Sequence, residues 1–224
     1  MRITIRRPGL ADYEAGKRAL AMHDPARALP LLRRALEAVH PESRRIYADR
    51  VYWLSVALLK LGKNALAIKA LASAQGLYPR GRVHDLYCRV SNEYGMPRAS
   101  CAEHDDYKAF LAIQLRRYLS SVPGGRFASQ AEIDTVLGLI AESWLRLSKG
   151  HDLSSSACAD KVEAYKAWRI DFPVLREGFA GSRVIAGDFR PHAAAGLDPS
   201  ARCPCGSGLP AQRCCARVQA PYER

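Results

Sequence analysis

The chain has 224 residues, 48% hydrophobic and 25% charged, the balance of a chain that buries a core in water. Its formal charge of +12 makes the surface attractive to nucleic acid, acidic proteins or anionic lipid. Seven cysteines in a chain of this length do not make a secreted disulfide scaffold. No apolar run approaches the ~20 residues needed to cross a bilayer: the best, Val56-Ala57-Leu58-Leu59, ends at Lys60.

The start, MRITIRRPGLADYEAGK, is basic but has no apolar stretch of the signal-peptide kind, so a cytoplasmic protein without membrane insertion is expected. Ala and Leu dominate and aromatics make up only 8%, which favours an all-α fold. Two segments then align with each other. The first carries Gly16, Ala28, Leu32, Ala35 and Pro41. The second carries Ser55, Ala67, Leu71, Ala74 and Pro79. In each, a small residue is followed twelve positions later by Ala, and Pro closes the unit because it cannot donate the next backbone bond.

This pattern resembles the tetratricopeptide repeat, a helix–turn–helix unit. The resemblance implies that Gly16 and Ser55 face Ala28 and Ala67 where paired helices touch. It also implies a concave groove in which Tyr13, Lys17, Tyr52 and Lys60 meet a peptide, suited to an acidic or C-terminal carboxylate ligand. Ala28 and Ala67 are 39 positions apart, a longer connection than the family's, and Asp12 and Val51 stand where its early tryptophan would be. A third unit begins at Arg82-Val83-His84-Asp85-Leu86-Tyr87 and breaks up after Pro97. Two repeats need further helices to cover their apolar faces.

The middle of the chain is expected to supply that cover. Ser100-Cys101-Ala102-Glu103 has the pattern of a capping box. It opens a helix with Tyr107, Phe110, Leu111, Tyr118, Leu119 and Val122 on one side, ended by Pro123-Gly124-Gly125. Ser129-Gln130-Ala131-Glu132 opens another, with Ile133, Val136, Leu137, Ile140, Trp144 and Leu147 at three- and four-residue intervals. Gly150-His151-Asp152 closes it. A third helix bears Val162, Tyr165 and Trp168 and ends near Pro173. Trp144, Trp168 and Phe172 are read as packing residues. No catalytic constellation emerges. Glu103-His104-Asp105-Asp106 occupies a helical first turn, where acids favour the helix dipole, and no phosphate loop, H-E-x-x-H or G-x-S-x-G pattern occurs. The expected organisation is helical repeats over 1–97, a helical extension over 98–177, a linker over 178–200 marked by scattered Gly and Pro, and a metal module over 201–217.

The tail gathers four cysteines into thirteen residues: Cys203-Pro204-Cys205-Gly206-Ser207-Gly208, five residues, then Cys214-Cys215. A segment this short cannot bury a useful core. Four thiolates can hold Zn2+ in a tetrahedron, and structural zinc contributes ~10–16 kcal/mol of apparent binding energy to folding. With all four ligands from protein, no position remains for substrate, which marks a structural site. Gly206, Ser207 and Gly208 are placed to aim backbone amides at the sulfurs, an outer-shell role. A disulfide pair, a thiol switch that releases zinc and an iron–sulfur cluster are the rival uses of the same cysteines.

These residues resemble the SEC-C motif, named for the C-terminus of the SecA translocation ATPase. The resemblance assigns the ligand roles to Cys203, Cys205, Cys214 and Cys215. In SecA the module contacts a chaperone and the ribosome, through lysines and an aromatic residue before the second cysteine pair. Here Leu209, Pro210, Ala211 and Gln212 stand there, and Arg213 alone keeps the charge. The expected protein is therefore a non-enzymatic zinc-binding adaptor for a protein or peptide partner, related to export or the ribosome. RNA or ribosome binding through the tail and the pairs Arg6-Arg7, Arg33-Arg34, Arg44-Arg45 and Arg116-Arg117, and a zinc-dependent redox response, are the alternatives.

Overall fold

The computed structural model describes residues 9–39, 43–150, 153–175, 198–203 and 209–214. Among them the secondary structure is helical: α1 (Leu10–Ala21), α2 (Pro25–Glu37), α3 (Arg44–Lys60), α4 (Asn64–Gln75), α5 (Arg82–Val90), α6 (Ala102–Ser121), α7 (Gln130–Gly150) and α8 (Cys158–Ala167). Two isolated antiparallel bridges, Ser91 with Pro97 and Arg202 with Pro210, are the β-structure among these residues. No described helix is long and apolar enough to cross a membrane. The chain divides into two compact units, Met1–Arg98 with His192–Val218, and Ala99–Pro191 with Gln219–Arg224.

In the first unit, α1 packs on α2, α2 on α3, α3 on α4 and α4 on α5. The pairing follows from small residues at the contacts. A Cβ on Gly16 would lie 2.7 Å from Leu32 Cγ and 2.8 Å from its Cδ2, so only glycine lets α1 approach α2 this closely. Ser55 reaches across the second hairpin to the Ala67 carbonyl at 3.5 Å. Ala28, Leu32, Ala35, Ala67, Leu71 and Ala74 are fully buried, as their spacing leads one to expect. Asp24 caps α2 by accepting from Arg27 N at 2.9 Å, and Pro25 fills the position where no donor is missed. Gly9, at φ 68°, opens α1; a side chain there would strike Ala38 and the Ala35 carbonyl. The helices stop before the prolines: α2 ends at Glu37, with Pro41 outside the described residues, and α4 ends at Gln75, four residues ahead of Pro79.

In the second unit α6 packs on α7 and α8. Phe110, Trp144 and Tyr165 form an aromatic cluster with ring centroids 5.6 to 6.0 Å apart, contacts worth roughly 0.5–1.5 kcal/mol each beyond burial. Trp168 and Phe172 are half-buried, and Leu137 is exposed where its spacing suggested core.

The second capping box forms in part: Ser129 Oγ accepts from Glu132 N at 3.1 Å, but Glu132 reaches one residue further back, to Ala128 N at 2.6 Å. The first does not form. Cys101 is the N-cap with no side-chain bond, and Asp105 takes the reciprocal role, accepting from Ala99 N at 2.7 Å. The Glu103-His104-Asp105-Asp106 run lies in the first turn of α6 as expected, and its acids also make specific bonds. Asp105 and Asp106 are buried, and Asp106 pairs with Lys161 of α8 at 3.1 Å. Gln114 and Arg117, one turn apart on α6, bind the carbonyls at the end of α8. Gln114 donates to Tyr165 O at 2.7 Å, and Arg117 to Lys166 O at 2.6 Å and Trp168 O at 2.7 Å. They satisfy acceptors that every helix end leaves open.

Candidate functional site

The described residues of the tail build a small backbone knot. Cys203 N donates to Leu209 O at 2.8 Å, so the chain leaves at Cys203 and returns antiparallel at Leu209. Ala211 N donates to Ala201 O and Gln212 N to Pro199 O. A single 3-10 turn, Ala211–Arg213, then delivers Cys214, whose N–H bonds Ala211 O. Cys203 and Cys214 are 4% and 0% exposed, and they share one apolar cluster with Leu209 and the residues of α1–α4.

The knot is seated on the helices of the first unit. Ser73 of α4 donates its hydroxyl proton to the Arg213 carbonyl. The Arg213 guanidinium lies 4.6 Å from the centroid of the Tyr47 ring of α3. Arg202 pairs with Glu37 at the end of α2 at 2.5 Å, an exposed contact of small energetic weight. Residues 178–197 of the expected linker lie outside the described residues.

Cys205 and Cys215, with Gly206, Ser207 and Gly208, also lie outside the described residues. Among those described, no group of three or more His, Cys, Asp or Glu side chains could hold a metal ion. What is described fits a soft metal: two thiol side chains, not joined in a disulfide, are held in a dry apolar cluster on one backbone knot. Tyr47, 2% exposed, stands beside them. Its burial raises the phenol pKa; the Arg213 charge and the Ser73 hydroxyl oppose the rise, and the Cys214 sulfur adds to it.

A second feature of this unit is a cavity of about 680 Å³ lined by α1, α3 and the Tyr78–Val83 segment that opens α5. Tyr13 and Tyr52 line it, with Tyr78, Arg45, Arg50, Arg80 and Arg82 and one acid, Asp49. Asp49 organises the floor: it accepts from the Tyr13 hydroxyl and pairs with Arg82 at 2.5 Å. Burial and this neighbour hold the Tyr13 phenol well above its ordinary pKa, so it stays a neutral donor. Arg50, its pKa lowered by burial, donates to the Ala35 carbonyl and lies 5.6 Å from the Tyr13 ring centroid. Lys17 lies outside the cavity lining, 5.1 Å from the Tyr13 ring and 5.6 Å from the Trp53 ring. Lys60 is exposed in the last turn of α3 and does not line the cavity. Sequence reasoning did not place Arg45, Arg80 and Arg82 here, because they come from three separate places: the first turn of α3, the connection before α5, and the first residue of α5.

Neither the curated proteins nor the solved structures give a match to this chain. Residues 200–217 match the SEC-C motif, so the segment that carries Cys203 and Cys214 is similar to a metal-binding module.

Proposed function

We propose that this protein is a non-enzymatic, zinc-binding adaptor of the cytoplasm. Its SEC-C segment holds Zn2+ through Cys203, Cys205, Cys214 and Cys215, and its helical hairpins, arranged like tetratricopeptide repeats, offer a groove to a protein partner. The observation that carries the proposal is the burial of Cys203 and Cys214 in the same apolar cluster as the hairpins, within a segment that matches a metal-binding motif. When bound, zinc supplies cross-linking and no reaction step. Gly206, Ser207 and Gly208 would direct amides at the sulfurs.

The groove favours an acidic peptide. Its lining has four arginines against one aspartate. Two of its three tyrosine faces are occupied: Arg82 covers Tyr52 at 5.0 Å, and Lys17 and Arg50 cover Tyr13. Single-stranded nucleic acid binds by stacking bases on open aromatic faces; of the three lining tyrosines, Tyr13 and Tyr52 already carry a cation, and Tyr78 alone is left to a base. A carboxylate needs only the remaining N–H donors of the same arginines. The net charge of +12 keeps RNA or ribosome contact as a second reading, and the SEC-C resemblance connects either one to protein export or the ribosome.

A labelled ten-residue polyglutamate peptide, titrated against the zinc-loaded protein and competed with a single-stranded RNA of equal charge, tests this. The expected result is peptide binding that Arg80→Glu with Arg82→Glu abolishes and that RNA displaces poorly. Efficient displacement by RNA, with affinity falling steeply between 50 and 200 mM salt, supports the second reading instead.

A further inference from the structure

The arginines that line the cavity of the first unit are of two kinds. Arg50 and Arg82 are committed within the fold: Arg50 donates to the Ala35 carbonyl, and Arg82 pairs with Asp49 and covers Tyr52. Arg45 and Arg80 are exposed and make no hydrogen bond or ion pair among the described residues. They come from separate elements, the first turn of α3 and the connection before α5. The acid of the lining, Asp49, is already held by Tyr13 and Arg82. Two cations therefore remain for a ligand.

The same lining carries apolar surface. Four large hydrophobic side chains stand exposed among the described residues of the first unit: Leu10, Met22, Ile46 and Tyr78. All but Met22 line this cavity, each between 37% and 43% exposed. Ile46 follows Arg45 in the chain and Tyr78 precedes Arg80 by two positions, so each of the two cations has an apolar neighbour in sequence. Single exposed hydrophobic residues are ordinary. Three around one cavity mark a place for apolar ligand surface.

Magnitude decides which half of the lining carries the affinity. An ion pair between an exposed arginine and a carboxylate is worth at most about a few-fold in binding, and less as salt rises. Burying one large apolar side chain is worth ~10-fold or more. A ligand made of carboxylates alone would leave the stronger half unused.

We propose that the segment recognised here is an acidic peptide with a large apolar side chain beside its carboxylates. The acids meet Arg45 and Arg80, and the apolar side chain covers Leu10, Ile46 and Tyr78. Charge then steers the encounter, and apolar burial sets how long the complex lasts. This inference deepens the acidic-peptide reading above and rests on it, and the experiment separates the two.

Two labelled peptides of equal length, capped at both ends, each carry six glutamates; leucines fill the other positions in one and serines in the other. Both are titrated against the full-length protein at low and at physiological salt. The leucine peptide should bind ~10-fold or more tightly than the serine peptide, and its advantage should persist as salt rises. Leu10→Gln with Ile46→Gln, in protein whose melting temperature is unchanged, should remove that advantage. Arg45→Gln with Arg80→Gln should weaken both peptides. Equal binding of the two peptides to wild type would overturn the proposal and leave the acidic-peptide reading standing; this comparison needs no variant to fold. A leucine advantage that survives in Leu10→Gln with Ile46→Gln would overturn it as well. Binding of neither peptide would overturn the groove reading itself.

Discussion

The contact between Gly16 and Leu32 sets how closely α1 approaches α2, and a small perturbation there has a sign that the structure decides. In an unconstrained helix Gly→Ala stabilises by about 1 kcal/mol, because glycine gives up more backbone freedom. At position 16 the new Cβ would meet Leu32 Cγ at 2.7 Å and Cδ2 at 2.8 Å, well inside van der Waals contact. Leu32 is fully buried and cannot swing into solvent. Overpacking of this kind costs ~1–3 kcal/mol. The two effects leave Gly16→Ala near neutral to about 2 kcal/mol destabilised. Leu32→Ala alone should cost ~2–5 kcal/mol. In that background the clash is gone, and Gly16→Ala should recover its helix propensity and stabilise. The cycle should therefore show a coupling of ~1–3 kcal/mol between the two sites. Urea unfolding of the four proteins, followed by circular dichroism, measures it. An alanine at 16 that stabilises equally in both backgrounds would refute the close-approach account of the hairpin.

Other perturbations separate structure from charge. Lys161→Met breaks the ion pair to Asp106, both side chains being under 10% exposed, and should cost ~3–5 kcal/mol in denaturant unfolding; Asp106→Leu with Lys161→Met should recover most of that. A single variant no less stable than wild type would mean the pair is solvated in solution. Tyr13 has a raised folded-state pKa, so its contribution to stability is complete below pH 10, the unfolded value, and is lost as pH rises from there toward the folded one. Unfolding midpoints should be flat from pH 8 to 10 and fall beyond it, with a smaller fall in Tyr13→Phe than in wild type. Equal alkaline slopes in the two proteins would remove Tyr13 as the cause.

Much of the helical body was legible because its cores repeat at helical intervals. The Ala and Leu spacing around Gly16 and Ser55 located two hairpins, and Val136, Ile140, Trp144 and Leu147 marked the buried face of α7. What escaped was polar burial. A hydrophobic stripe on α6 counts Phe110 and Tyr118 and passes over Asp106, Gln114 and Arg117, whose partners lie on α8, some fifty positions along the chain. Their roles depend on which helix end meets them, and no local pattern records that. The four tail cysteines proposed as zinc ligands stood out through their spacing, four thiols within thirteen residues. The seat of the knot did not. Tyr47, Ser73 and Glu37 are ordinary helical residues in sequence, and only the fold shows them against Arg213 and Arg202. Of the four residues expected to line a groove, Tyr13 and Tyr52 line the cavity of the first unit, Lys17 and Lys60 lie off it, and its positive charge comes from arginines instead.

The central claim is one zinc ion on the four tail cysteines, joined to the helical body. Its most direct test is metal analysis of the full-length protein, purified under reducing conditions without added metal and after removal of loosely bound ions. The account predicts one zinc per chain in wild type and less than a tenth of that in Cys203→Ser with Cys214→Ser. Metal-free wild type that cannot be reloaded, or full zinc retained by the double variant, would contradict it.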